Sequence, residues 1–265
     1  MNETDTPLAS PATARVAPPL PFGKLVAVYR GLFMAGCTLW YLVPLLLKSA
    51  LMGHDMRRAL RVRKRWARTV LRHLGVRILR EGALPTHEGP ALYVGNHRSY
   101  LDPIVVLHDV EALPVAKAEV ASWPLIGFAA RATGIMYVKR ESKRSRFGTL
   151  MAIRQTLEAG HSVLLYPEGT THLEPHTIAF RPGAFRVAAE LGVPVIPVAI
   201  DYPDPANAWV GDATFVPHFL QAFAKKYLEV RIAYGPPLRD DDPRELVART
   251  RAWIDGRLQR WADDH

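Results

Sequence analysis

The spacing of apolar residues along the chain changes character three times. Residues 1–22 are rich in Pro, Ala and Thr without apolar periodicity, which predicts a disordered leader. Between Arg30 and Lys48 the stretch 31–47 carries no charge and includes Trp40 and Tyr41. It is as short as a membrane-crossing helix can be, about 17 residues at the lower limit. Pro44 lies inside it and is expected to bend or break a helix. The stretch predicts a membrane element, as a span, a re-entrant segment or a helix lying in the interface. The competing reading is a buried core helix.

The pattern then turns amphipathic. Across residues 57–80, Leu60, Ala67, Val70, Leu71 and Leu74 fall on one helical face, with Trp66 at its edge and the arginines opposite. From residue 76 short β-branched runs take over, at Ala91–Gly95, Ile135–Lys139, Ser162–Tyr166, Val195–Ile200 and Leu228–Tyr234, with shorter ones at Val76–Leu79 and Pro114–Ala116. Helical stretches separate them. Residues 146–159 stop at Gly160 and 184–191 at Gly192, while Asp242 followed by Pro243 starts a last helix carrying Leu246, Trp253, Ile254, Leu258 and Trp261. Alternating strands and helices predict an α/β layered domain with a largely parallel or mixed sheet. The organisation is thus a leader (1–22), a membrane-associated helical element (23–75) and one α/β domain (76–265), without an internal repeat.

Composition sharpens this in two places. The chain's net charge is +9, and residues 57–80 alone hold ten cations and no acid. A basic amphipathic helix beside an apolar segment predicts docking on an anionic membrane surface, each cation contributing about 1 kcal/mol. Nucleic acid is disfavoured as a partner because no nucleic-acid-binding module accompanies the patch. Cations mark the cytoplasmic side, so the α/β domain is expected at the cytoplasmic face of the membrane. A secretory signal is not expected, since Glu3 and Asp5 are the first charges. Cys37 is the one cysteine, which excludes disulfides and Cys-rich zinc sites within the chain.

In α/β sheets ligands bind beyond the carboxyl ends of strands. After Ala91–Gly95 comes Asn96-His97-Arg98-Ser99-Tyr100-Leu101-Asp102-Pro103. His97 falls in a loop and Asp102 in the first turn of a helix. A carboxylate reaching one imidazole nitrogen fixes the tautomer and leaves the other nitrogen to take a proton. The alternative is that Asp102 only caps the helix. Ser99 lacks the G-x-S-x-G turn of an exposed nucleophile, and two side chains are too few for a metal. After Ser162–Tyr166 comes Pro167-Glu168-Gly169-Thr170-Thr171-His172. Gly169 permits close backbone approach and its amide is a candidate oxyanion donor, while Glu168 either orients an acceptor hydroxyl or braces a basic residue. The segment 134–140 ends in Lys139 and Arg140, a candidate phosphate clamp. Pro197 interrupts the apolar run 193–200, implying an edge, a bulge or a pocket wall. His172, Glu174 and His176 are close in sequence but read as a mobile loop rather than a metal site.

Taken in order, NHRSYLD, GIMYVKR, YPEGT and VPVIPV resemble the blocks of the glycerolipid acyltransferase family, in particular bacterial 1-acyl-sn-glycerol-3-phosphate acyltransferases. Pro114–Glu119, Pro124–Phe128 and Phe180–Phe185 are similar too, and the likeness covers roughly residues 76–200. The resemblance implies transfer of an acyl group from acyl-CoA or acyl-carrier protein to a lysophospholipid hydroxyl, giving phosphatidate, with no cofactor or metal. It implies His97 as general base and Asp102 as its partner. Lys117 and Arg140 would bind the acceptor phosphate, and Asn96, Ser99, Glu168, Gly169 and Thr170 would complete the substrate and oxyanion site. One position departs: Thr171 stands where phosphatidate-forming members usually carry arginine. That opens other acceptors, lyso-ornithine lipid among them. Rival readings are a non-catalytic membrane adaptor and a lipid hydrolase using the same His–Asp pair.

Overall fold

A computed structural model describes residues 17–118, 133–138 and 142–264. Two helices come first, α1 (Gly23–Met52) and α2 (Met56–Leu74). The α/β body then runs β1 (Val76–Glu81), β2 (Leu92–Gly95), α3 (Asp102–Asp109), β3 (Ala112–Lys117), β4 (Met136–Val138), α4 (Lys143–Glu158), β5 (Ser162–Leu165) and α5 (Gly183–Leu191). It closes with β6 (Val195–Asp201), α6 (Phe215–Ala222), β7 (Leu228–Tyr234) and α7 (Pro243–Asp263). The seven strands form one sheet in the order β1-β7-β6-β2-β5-β3-β4. All neighbours are parallel except β6 and β7, so the expected largely parallel, mixed sheet is what forms.

Alternate side chains of each strand feed two cores. Tyr93, Ile196, Val198 and Ile200 face α1, α2, α3 and α6, where Leu71, Leu74, Val105 and Phe219 pack. Leu92, Val94, Val195 and Ala199 face α4, α5 and α7, where Ile153, Phe185, Ile254 and Trp261 pack. The chain is a three-layer α/β/α body with α1 and α2 extending one layer.

Three sequence expectations need correction here. Residues 17–22, assigned to the leader by composition, are tied to the body. Ala17 is buried, Pro18 accepts from the Lys226 amide, and Leu20 donates to Ala224 at 3.1 Å. Gly23 permits this approach, since a Cβ there would lie 2.5 Å from the Ala224 carbonyl. Second, α1 runs unbroken through Pro44. Leu42 and Leu45, on either side, are buried, and that packing offsets the backbone hydrogen bond lost at the proline. Third, Arg63 does not join the outward arginines. It is buried and donates to the carbonyls of Thr133 (3.1 Å) and Ala112. Burial pushes its guanidinium down to about 10, opposed by Glu111, so it remains charged at neutral pH.

α1 is long and apolar enough to cross a membrane by length and composition alone. Its amino-terminal half is pinned to the body by Arg30, which donates to the carbonyls of Phe223, Lys225 and Lys226. Its outward face leaves Leu25, Leu32, Leu39, Trp40, Val43, Leu47 and Leu51 exposed.

Candidate active site

The site is built on the loop leaving β2. Asn96 is fully buried, and its side-chain amide pairs with the backbone of Ile200 in both directions, each bond 2.8 Å. The side chain thus continues the β2–β6 ladder where the backbone turns away, and it aims the next residue. Ser99 is fully buried as well, and its hydroxyl accepts weakly from the Leu101 amide. Both side chains are enclosed and hold the loop in place.

Asp102 opens α3 and its side chain is enclosed. Oδ2 accepts from His97 Nδ1 at 2.7 Å, the Arg98 amide at 2.6 Å and the Ser99 amide at 2.8 Å; Oδ1 accepts from the Tyr202 hydroxyl at 2.7 Å. Of the two alternatives read from the sequence, the hold on the imidazole is the one that forms: the Asp102 side chain caps no amide of α3 and accepts instead from the loop amides before it. Burial, and then the charge of Asp102, push the Tyr202 phenol well above its ordinary range, so its hydroxyl keeps the proton it donates. Because a carboxylate only accepts, His97 Nδ1 carries the proton, and in the neutral ring Nε2 presents a lone pair. The ring stacks on Tyr166 with centroids 4.4 Å apart and stays 17% exposed. This is an oriented, reachable base beyond a strand's carboxyl end.

The loop after β5 closes over it. Glu168 Oε2 accepts from the His97 amide at 2.6 Å, and Oε1 from His172 Nε2 at 2.8 Å and the Ile178 amide at 3.2 Å. Its carboxylate is buried with both oxygens engaged, the bracing geometry of the two sequence options. His172 Nδ1 accepts from Arg98 Nη1 (3.0 Å) and the Glu174 amide (3.2 Å), which places the ring proton on Nε2 facing Glu168. The segment expected to be a mobile loop is therefore fastened. Further along, Thr177 donates through its amide and hydroxyl to Asp255 and accepts from Arg251. Among the described residues no three metal-binding side chains cluster.

The Gly169 amide is not a free oxyanion donor. At φ +75° it closes a turn, donating to the Tyr166 carbonyl at 3.2 Å. Thr170, next along, is exposed. Lys117 ends β3 and is exposed. The register Leu92–Val163–Leu113 puts Lys117 level with Asn96, two strand spacings or about 10 Å across the sheet. Arg140 and Lys139 lie outside the described residues. Pro197 pairs with Val94 in a central strand, and its carbonyl accepts from Gly235.

Sequence reasoning assigned no role to four side chains here. Tyr166 and Tyr202 flank the His–Asp pair, Arg98 grips His172, and Arg181 covers Gly169. A Cβ on that glycine would lie 3.3 Å from the Arg181 guanidinium. Arg181 is exposed, and its amide donates to Pro167 in the same loop. The FRPGAF run was the signal that held it.

Comparison with known proteins places this geometry in a class. The fold matches a crystal structure of the 1-acyl-sn-glycerophosphate (LPA) acyltransferase PlsC from Thermotoga maritima, with a TM-score of 0.70 at 19% identity over 89% of this chain and 94% of that one. A family model described as Acyltransferase matches residues 68–201. The chain is 31% identical to a lyso-ornithine lipid O-acyltransferase of Rhizobium meliloti (strain 1021), over 74% of this chain and 75% of that protein. It is 32% identical to the chloroplastic 1-acyl-sn-glycerol-3-phosphate acyltransferase LPAT1 of Arabidopsis thaliana, over 73% of this chain and 57% of that protein. The chain belongs to the acyltransferase family, among the O-acyltransferases of lyso-lipids.

Proposed function

We propose that this enzyme moves a fatty acyl group from a thioester, acyl-CoA or acyl-carrier protein, to the free hydroxyl of 1-acyl-sn-glycerol-3-phosphate, forming phosphatidate at the cytoplasmic face of a membrane. The observation that carries it is the 2.7 Å bond between His97 Nδ1 and enclosed Asp102, with the ring still reachable. Nε2 takes the hydroxyl proton as the oxygen attacks the thioester carbonyl. Asp102 stabilises the imidazolium that forms. The carbonyl oxygen's developing charge falls to the amides after Gly169, those of Thr170 and Thr171. The C–S bond then breaks, and the thiolate leaves with the proton from Nε2. Lys117 and Arg140 bind the acceptor phosphate, and Arg181, which covers Gly169, is a further cation for it.

A second acceptor, lyso-ornithine lipid, is favoured by Thr171 and by the Rhizobium relative. Purified enzyme with labelled acyl-CoA or acyl-carrier protein and a panel of lyso-lipids separates the readings. Transfer to one acceptor, lost in His97→Ala, supports the proposal. Free fatty acid released without acceptor indicates a hydrolase. Vesicle binding without transfer, surviving loss of His97 and Asp102, indicates an adaptor. For Thr171→Arg the expected outcome is a lower KM for the phosphate acceptor, about fivefold or more for one added charge contact. An unchanged KM removes this loop from the headgroup site.

A further inference from the structure

A groove of about 380 Å³ opens between α1 and α2. Its α1 wall is made by Trp40, Tyr41 and Pro44 with Lys48, and its α2 wall presents Arg58, Arg61 and Arg65. The three arginines recur at the spacing of one helical face, so their head groups line up along the opening. Lys48, Arg61 and Arg65 form no ion pair among the described residues, and Arg58 has only a loose one, 3.8 Å from Asp55. Arg58 Nη1 is buried with no hydrogen-bond partner among the described residues. Guanidinium groups without close carboxylate partners are matched by a phosphate through charge-assisted bonds. From the groove, Trp40, Val43, Leu47 and Leu51 continue along α1 as an exposed apolar row at the same helical spacing.

Cations at one end and an apolar track leading away describe an amphiphile with an anionic head. We propose that the α1–α2 groove binds a single anionic phospholipid, its phosphate on Arg58, Arg61 and Arg65 and its acyl chains along Trp40 to Leu51. This differs from a diffuse basic belt, because it singles out these cations from the others on α2. It does not depend on the acyl-transfer reading.

The test uses the full-length protein in a non-ionic detergent, titrated calorimetrically with dihexanoyl phosphatidylglycerol below its micellar concentration. Two variants remove equal charge from α2. Arg61→Gln/Arg65→Gln empties the groove, whereas Arg57→Gln/Arg72→Gln takes cations that do not line it. The expected result is saturable one-to-one binding, about thirtyfold weaker in the groove variant, near fivefold per cation. The other variant stays within about twofold of wild type, and dihexanoyl phosphatidylcholine binds more weakly than phosphatidylglycerol. Equal weakening in both variants would show a belt and overturn the proposal. So would saturable binding that neither variant alters, which places the lipid elsewhere. Displacement by inorganic phosphate at matching concentration would mean an anion pocket without lipid, and absence of saturable binding would mean no site.

Discussion

Asp102 holds four donors while acting on one imidazole, and this multiplicity separates its structural from its chemical contribution. Asp102→Asn keeps the shape but supplies an amide that cannot receive every donor, and it weakens the hold on the Nδ1–H tautomer. The expected outcome is a fall in kcat of about 10²–10⁴ with KM little changed. Steady-state kinetics read this, with thermal unfolding as the check that the loop still folds. Tyr166 poses the opposite case. Its ring stacks on His97, but its hydroxyl is buried with no hydrogen-bond partner among the described residues. Tyr166→Phe keeps the stack and removes the orphan, so activity should hold within about twofold and stability should rise by up to about 1 kcal/mol. Loss of activity in this variant would mean that the hydroxyl takes part in turnover. The His97–Asp102 pair was legible in the sequence because its contact spans five residues across one turn. Tyr202 meets Asp102 from 100 residues downstream and Glu168 meets the His97 amide from 71. Those contacts exist only through the strand order β6-β2-β5, which no local spacing encodes.

At the level of elements, the strands were legible because runs such as Val195–Ile200 are apolar on both faces, as a central strand requires. α6 was not. It is short, begins Phe-Val-Pro-His, and has no polar face to mark a period. It is a helix because Phe219 and Ala222 bury against the layer containing α1 and Phe223. Within it His218 is enclosed, accepting from Tyr100 at Nδ1 and donating to the Ala208 carbonyl from Nε2. Burial lowers its affinity for protons below the ordinary 6.5, with Lys225 adding to the effect. The unfolded chain therefore binds this proton more readily. The stability His218 contributes is complete above about pH 6.5 and is lost as pH falls through the lower folded value. Denaturant unfolding between pH 8 and 5 should show stability declining with acid in the wild type and a shallower decline in His218→Gln. Parallel curves would assign the acid sensitivity to other groups.

For the whole molecule, the decisive asymmetry is that one layer of an otherwise closed α/β/α body faces outward with large apolar side chains. Leu25 (67% exposed), Leu32, Val43 and Leu47 lie on α1 away from α2 and the sheet. Arg30, bonded to three body carbonyls, fastens the amino-terminal half of α1 to the body. In water this face costs free energy, and at a lipid surface it gains it. On the proposed membrane docking, the contacts that fix α1 would also hold the body, and with it the carboxyl ends of β2 and β5, at one depth and tilt relative to the bilayer. Replacing those four residues by Gln touches no buried contact, so the unfolding midpoint should move by no more than about 2 °C. Even at about 1.5 kcal/mol per side chain the four substitutions remove roughly 6 kcal/mol of transfer energy, a factor of about 10⁴ in partition. The variant should appear in the soluble fraction. It should acylate a short-chain, water-soluble acceptor at near the wild-type rate and lose most of its activity on acceptor embedded in vesicles. Equal loss on both acceptors would show that α1 supports the site itself. Unchanged partition would show that the arginines of α2 hold the enzyme to the bilayer without α1.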